Sequence, residues 1–287
     1  MHPLLAPGTH VLRRGPHEVQ VGLDPDSAVV LPTAAALPDA FPGLVRAGLA
    51  LADDRQLRTA LPPHDPDDPW PRHAAAALAR RHGAALPDAC DSREHHVVAI
   101  THTGHHLSEP LGQQLAELCR RSGLRLRTRL RPGPMPRGAR RPAVVHVLVA
   151  VGEPRRELLD DWVRRQEPHL VVRLVEGRAV VGPFVVPGST ACLRCLDAYR
   201  TERDPAWPLL VEQHARASTA DRPDGIPEPL DAALAAVALG WAARDLAGYV
   251  EGGTPATWSS TVTLGPHLGG VEPLRWPAHP HCGCCWG

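Results

Sequence analysis

Hydrophobic and polar positions alternate near the start of the chain and merge into continuous apolar runs further on. In "HEVQVGL" Val19, Val21 and Leu23 recur at a period of two, which predicts a half-buried strand. "DPDS" at 24–27 places Pro at the second position of a turn, and "AVVL" at 28–31 is a second apolar strand. The pattern then changes. "DDRQLRTAL" opens on an Asp cap and "PRHAAAALARRHG" stops at Gly83, so both predict helices, with the Pro- and Asp-rich "PPHDPDDPWP" at 62–71 as a loop. Short strands followed by small helices predict a compact winged-helix-like α+β module over residues 1–90.

A different pattern fills residues 91–287. "HVVAIT" predicts a buried strand, "LGQQLAELCRRSG" a helix, and "LRLRTRL" an exposed or edge strand, followed by the loop "RPGPMPRGARRP". "AVVHVLVAV" is nearly all apolar and is the strongest strand in the chain. "RRELLDDWVRRQ" is an amphipathic helix, and "HLVVRL" and "AVVGPFVV" are further strands. Apolar strands alternating with helices predict an α/β fold with a largely parallel sheet. The long apolar segment "LDAALAAVALGWAARDLAGYV" at 230–250 predicts a helix packed on that sheet. There is no internal repeat.

Composition narrows the functional classes. The 31 basic residues balance 31 acidic ones, so there is no global positive field and nucleic acid is not an expected partner. No run of eighteen apolar residues predicts a membrane span, and "MHPLLAPGTHVLRRG" lacks the pattern of a signal peptide. The expectation is a cytoplasmic protein, where paired cysteines bind metal more often than they form disulfides. Every basic residue is Arg, which excludes a Walker A lysine, a Schiff base and a lysine base.

Five of the seven cysteines lie in "GSTACLRCLD" and in the ending "WPAHPHCGCCWG". Cys192 and Cys195 have the C-x-x-C spacing that lets two thiolates chelate one tetrahedral ion from a tight turn. The ending supplies Cys282 with Cys285 as a second C-x-x-C, or Cys282 with Cys284 as a C-x-C. Four thiolates make a closed structural Zn2+ site that ties the tail to a loop of the sheet and leaves no open position for catalysis. A disulfide is the competing reading. Of the other thiols, Cys90 stands alone and Cys119 lies in an apolar helix, where burial is its role. Ser189 and Thr190, beside the knuckle, are read as satisfying turn amides.

On these motifs the stretch from "AVVHVLVAVGEPRR" to "GSTACLRCL" resembles the second half of ThiF-like adenylyltransferases, a superfamily that includes ubiquitin-activating enzymes. "CLRCLDAYRTERDPAWP", "HPHCGC" and the opening "HPLLAPGTHVLRRGPHEVQVGLDP" resemble the ThiF-like leader-peptide-binding or cyclodehydratase partner proteins of thiazole/oxazole-modified (RiPP) peptide biosynthesis. The resemblance implies a Rossmann-type domain with a structural zinc site, preceded by a peptide-recognition module. It further implies two partners, the leader of a ribosomal precursor peptide and a YcaO-type ATP-dependent cyclodehydratase, and leaves room for a homodimer.

The nucleotide site of that family does not carry over. Counting back from Gly123 puts the last glycine of the family's G-x-G-G-x-G turn on Gly112, so that Leu107, Ser108, Glu109, Pro110 and Leu111 fill the remaining positions. Glu109 would bring negative charge towards a triphosphate and Pro110 lacks an amide donor. "LRLRTRL" lacks the acidic residue that would hold a ribose, and Glu153 is the one carboxylate near the family's magnesium aspartate. The domain therefore reads as degenerate, with ATP not expected as a cofactor, and the histidine-rich "HHVVAITHTGHH" as an expanded solvated loop filling the vacant position.

The expected function is a non-catalytic adaptor. Val29 and Leu31 on an exposed strand, with Leu78 and Arg81 on the neighbouring helix, would take up an acidic leader by strand addition. Two alternatives stay open: an active ThiF-like adenylyltransferase with an atypical phosphate loop around Gly104 and Gly112, and a zinc-stabilised winged-helix DNA-binding regulator using Arg72, Arg80 and Arg81. The mixed charges around Arg194, Asp197, Arg200, Glu202, Arg203 and Asp204 read as a solvated face or, with Trp207, as a docking surface.

Overall fold

The structure is a computed structural model, and it describes residues 11–15, 18–21, 23, 25, 28–32, 95–127, 143–217, 230–268 and 271–284. Backbone contacts divide the chain into two compact units, residues 1–93 with 121–123 and residues 94–120 with 124–287. In the first unit β1 (Val11–Gly15), β2 (Glu18–Val21) and β3 (Val29–Pro32) form an antiparallel sheet in that order. Val19 pairs with Leu31 and Val21 with Val29, so Glu18–Val21 of "HEVQVGL" lie in a strand, whereas Leu23 falls beyond it in an exposed bend. The helices expected at 53–61 and 71–83, with Leu78 and Arg81, lie outside the described residues, as do Cys90, Arg72 and Arg80.

The second unit is mixed α/β around a six-stranded sheet of order β4-β5-β6-β7-β8-β9. β4 (His96–His102), β5 (Ala143–Val151) and β6 (His169–Val175) run parallel, with α1 (Ser108–Arg121) following β4 and α2 (Glu157–Arg164) following β5. On the outer edge of β4, Leu126 makes an isolated parallel bridge to Val98, where "LRLRTRL" was expected to add an edge strand. The other half of the sheet is antiparallel: β7 (Arg178–Val185) pairs with β6, β8 (Ser260–Leu264) with β7, and β9 (Leu274–Arg275) with β8.

This corrects the expectation of a largely parallel sheet, and the cause is local. Only Glu176 and Gly177 join β6 to β7, with φ of 52° and 72°. Positive φ at both central residues is the type I′ turn, whose twist matches that of paired antiparallel strands.

The sheet is covered on both faces. On one, Val145, Val147, Val149 and Val151 of β5 and Val172 of β6 pack with Leu111, Leu115 and Cys119 of α1 and with α5 (Ala232–Val250). On the other, Leu148 and Val171 pack with Leu159 and Trp162 of α2 and with Leu193 and Leu196 of α3 (Leu193–Arg203). Period-two alternation with both faces apolar explains why "AVVHVLVAV" reads as a continuous run. Burial pushes the Cys119 thiol up to about 12, in keeping with a packing role. α5 begins at Asp231, whose carboxylate accepts from the amides of Ala233 and Leu234 at 2.8 and 2.9 Å. No helix among the described residues is long and apolar enough to cross a membrane.

One buried carboxylate couples α5 to the segment that leads into β8. Asp245 accepts from the amides of Ala256 and Thr257, both at 3.0 Å, and from the Thr257 hydroxyl, just ahead of β8. Replacing it with Ala strands buried donors. Asp245→Ala is expected to lower stability by about 2–4 kcal/mol, read as an earlier midpoint in urea unfolding.

Candidate functional site

Two groups of chemistry-bearing residues lie in the α/β unit, one at the C-terminal ends of β4 and β5 and one at the start of α3. In a doubly wound sheet the first is the usual ligand crevice. The β4–α1 connection there is Thr103-Gly104-His105-His106-Leu107, five residues. The loop is thus short, against the expectation of an expanded one. Leu107 ends it, and Ser108 to Gly112 belong to α1, so they form no phosphate loop. Pro110 sits in the first helical turn, where no intrahelical amide bond is required. Gly112 faces β4: a Cβ there would touch Ile100 and His102 at 3.6 and 3.9 Å.

The turn is tied together by its own polar groups. The Thr103 and Ser108 hydroxyls are 2.8 Å apart, Ser108 Oγ accepts from the Val151 amide at 3.2 Å, and His105 Nδ1 accepts from the Leu107 amide at 3.1 Å. His105 and His106 stack with ring centres 4.5 Å apart. Beside the turn is a cleft of about 190 Å³ lined by His102, Thr103, Gly104, Val151, Glu153 and Leu158, among others. Clefts that hold drug-sized ligands run to roughly 300–1,000 Å³.

Glu153 is committed elsewhere. One of its oxygens accepts from Arg173 Nη1 at 2.8 Å, and the other lies 2.9 Å from Arg156 Nη1 as an ion pair without hydrogen-bond geometry. Burial alone would raise its pKa, but Arg173 and then Arg156 outweigh that and hold the carboxyl down at about 2. Arg156 also forks onto Asp197 of α3, Nε and Nη2 donating at 2.7 and 2.9 Å. Asp197 further accepts from Trp207 Nε1 at 3.0 Å, and the Arg200 guanidinium lies 4.7 Å from the centre of the Trp207 ring. Trp207 opens α4 (Trp207–Ala217). Of the charges read from sequence as a surface stretch, Asp197 and Arg200 belong to this network, whereas Arg194, Glu202, Arg203 and Asp204 are exposed, Arg194 forking onto Asp160 of α2 at 2.8 Å.

The second group is the cysteines. Cys192 is the N-cap residue of α3 and Cys195 lies in its first turn. Cys192 Sγ lies 3.8 Å from Cys195 Sγ and 3.5 Å from Cys282 Sγ, while Cys195 Sγ is 3.3 Å from Cys284 Sγ. All four sulfurs fall within 4.8 Å of one another, far beyond a disulfide's length of about 2.05 Å. Four thiolates about 2.3 Å from a tetrahedral zinc ion would sit about 3.8 Å apart, so the set fits such an ion. Among the described residues the fourth sulfur is that of Cys284, the C-x-C alternative; Cys285 lies outside the described residues. Gly283 makes the short spacing reachable by taking φ of 76°, a left-handed bend that favours glycine.

The cysteines share their protons unequally. Hydrogen bonds from Cys192 and Cys282 hold the Cys195 thiol far below its ordinary range, and the bond to Cys195 pushes Cys192 up. The His279 amide also donates to Cys195 Sγ at 3.3 Å. The tail leading to Cys282 is pinned by Trp276, whose Nε1 donates to Thr261 Oγ1 at 2.9 Å, and by buried His279, whose Nε2 lies 2.9 Å from Glu202. Thr190 does take up turn groups, its hydroxyl accepting from the Val186 amide at 2.7 Å. Among the described residues, no other group of His, Cys, Asp or Glu is close enough to hold an ion. The buried Glu153–Arg173–Arg156 network escaped the sequence reading, since its members lie just after β5, within β6 and just before α2, with no spacing motif. A charged residue inside the apolar run "HLVVRLV" was its one signal.

The depressed pKa of Glu153 sets a pH dependence. Its carboxylate stabilises the fold fully above about pH 4.5, and that contribution is lost as pH falls towards 2. Unfolding midpoints measured from pH 6 down to 2 should drop across this window. In Glu153→Gln the drop should shrink, while stability at pH 7 falls by about 3–5 kcal/mol because two buried guanidiniums lose their carboxylate.

No protein-family model matches the chain, and no curated protein matches it. Solved structures do match. A heterocyclase in complex with substrate and cofactor gives a TM-score of 0.60 at 19% identity, over 96% of this chain and 38% of that one. The heterocyclase TruD gives 0.56 at 16% identity, over 96% and 42%. E. coli MccB with succinimide gives 0.47 at 14% identity, over 97% of each chain. This chain thus spans about two fifths of the length of the heterocyclases it matches. At these identities the likeness is one of fold: the chain is built as the matched part of a heterocyclase is built.

Proposed function

We propose that this chain is a non-catalytic adaptor that binds the leader of a ribosomal precursor peptide and presents it to a YcaO-type ATP-dependent cyclodehydratase for azoline formation. The observation that carries this reading is the state of Glu153. The carboxylate nearest the family's magnesium position is buried and bound between Arg173 and Arg156, so it is not free to hold a cation. The small cleft beside it points the same way.

Peptide capture is assigned to the first unit. β3 carries Val29 and Leu31 and, among the described residues, is paired on one side only, which suits addition of an extended leader strand. Leu78 and Arg81 stay in the proposal as the helix side of that groove. The adaptor raises the effective concentration of substrate at a separate active site and makes or breaks no bond itself. The heterocyclase likeness supports the reaction class through fold.

Azoline formation by a YcaO-type enzyme, followed by mass spectrometry as loss of one water per ring, tests this directly. The chain is expected to accelerate processing of a leader-bearing peptide and to leave a leaderless one unchanged. Calorimetric titration with magnesium–ATP should show no binding at millimolar nucleotide. Stoichiometric micromolar binding would replace the adaptor with the adenylyltransferase reading.

The cysteines are proposed to hold one structural Zn2+ through Cys192, Cys195, Cys282 and Cys284. The ion would supply no chemistry beyond tying the tail to α3, with apparent binding energy on the order of 10 kcal/mol coupled to folding. Elemental analysis should find one zinc per chain, and a strong chelator should lower the melting temperature. Cys284→Ser is expected to lose the metal, and Cys285→Ser to keep it.

A further inference from the structure

The four sulfurs meet from two segments of chain, and contacts other than sulfur hold those segments opposite each other. Ahead of Cys282 the tail is anchored by β9 on β8, by the Trp276 amide donating to the Ser259 carbonyl at 2.7 Å, and by His279 against Glu202 at 2.9 Å. Cys192 and Cys195 are fixed by the start of α3. In that frame the shorter approaches run between segments. Cys192 Sγ lies 3.5 Å from Cys282 and Cys195 Sγ 3.3 Å from Cys284, against 3.8 Å within the Cys192–Cys195 pair. The sulfurs can also be reached. Cys282 and Cys284 are half-buried, and with Cys192 they line a cleft of about 220 Å³ whose other walls include Leu159 and Val163 of α2.

We propose that these cysteines form a redox-sensitive staple, which holds a cation as thiolates and closes on oxidation into two cross-links, Cys192–Cys282 and Cys195–Cys284. The cation-bound state rests on the structural Zn2+ reading above. Loop length selects the same linkage as distance does. A bond from Cys282 to Cys284 spans a single residue, whereas the cross-links join positions 90 and 89 residues apart and remove far more freedom from the unfolded chain. Closing Cys192 on Cys195 would leave the tail cysteines only that short ring. In the step itself four thiols give up four protons and four electrons to two molecules of a diazene oxidant. Each diazene is reduced to the hydrazine, and two S–S bonds form. A disulfide sulfur carries no charge, so the oxidised set no longer holds the ion. The tail stays tied to α3 in both states, and only the metal content of the joint changes.

Oxidation of the full chain with diamide, then thiol blocking and trypsin digestion without reductant, reads the linkage. Trypsin cuts after Arg194, between Cys192 and Cys195, while Cys282 and Cys284 stay together in the peptide that follows Arg275. The expected product is one assembly of three peptides, those of Cys192, Cys195 and the tail, with zinc released to a colorimetric chelator. In the double variant Cys284→Ser/Cys285→Ser, the Cys192 peptide alone should remain joined to the tail. The oxidised chain should melt roughly 5–10 °C above reduced chain stripped of metal by a chelator. A Cys192 peptide joined to the Cys195 peptide, or an oxidised chain that melts no higher than the stripped one, would overturn the proposal. Zinc absent from the fresh chain would sink the metal reading, whereas zinc present with the wrong linkage sinks the switch alone.

Discussion

A buried carboxylate held between two guanidiniums organises the α/β unit. Glu153 follows β5, Arg173 lies within β6 and Arg156 immediately precedes α2, while Asp197 brings in α3 and through it Trp207 at the start of α4. Charges this deep are stable only when paired, so each element is fixed by the one opposite it. The interaction binds strands and helices at the end of the sheet where such folds ordinarily open to ligands.

The four cysteines act at the neighbouring end of α3 by a complementary rule. Where the arginine network gathers more positive than negative charge, the sulfurs gather acidic groups that cannot all ionise together without a cation. The helix N-terminus favours thiolate there. The two clusters share α3, since Cys192 and Cys195 start the helix that presents Asp197 and Arg200. Ordering of the tail and ordering of the buried charges are thereby linked through one helix of eleven residues.

Where a local pattern decides the structure, the residues announce it. "AVVHVLVAV" is β5 over the same nine residues, and the apolar stretch after Asp231 is α5. Cys192, Cys195 and Cys282 come together as their spacing implied, and among the described residues Cys284, reached through the bend at Gly283, is the fourth of the group. The direction of β7 was legible in Glu176-Gly177, a two-residue turn between apolar runs, but the expectation of alternating strands and helices overrode it. Arg173 was not legible in the same way. A lone Arg in an apolar run becomes meaningful only once Glu153 and Arg156 are placed against it in space.

The pairing of Glu153 with Arg173 and Arg156 also restricts what descendants of this sequence can become. Freeing the carboxylate for another use requires both arginines to change. Either change alone leaves the surrounding charges unbalanced in a dry environment, at a cost comparable to a sizeable part of a domain's total stability. The intermediates between the present arrangement and one with an available acid are thus poorly folded proteins. One substitution at a time, that change has no open road.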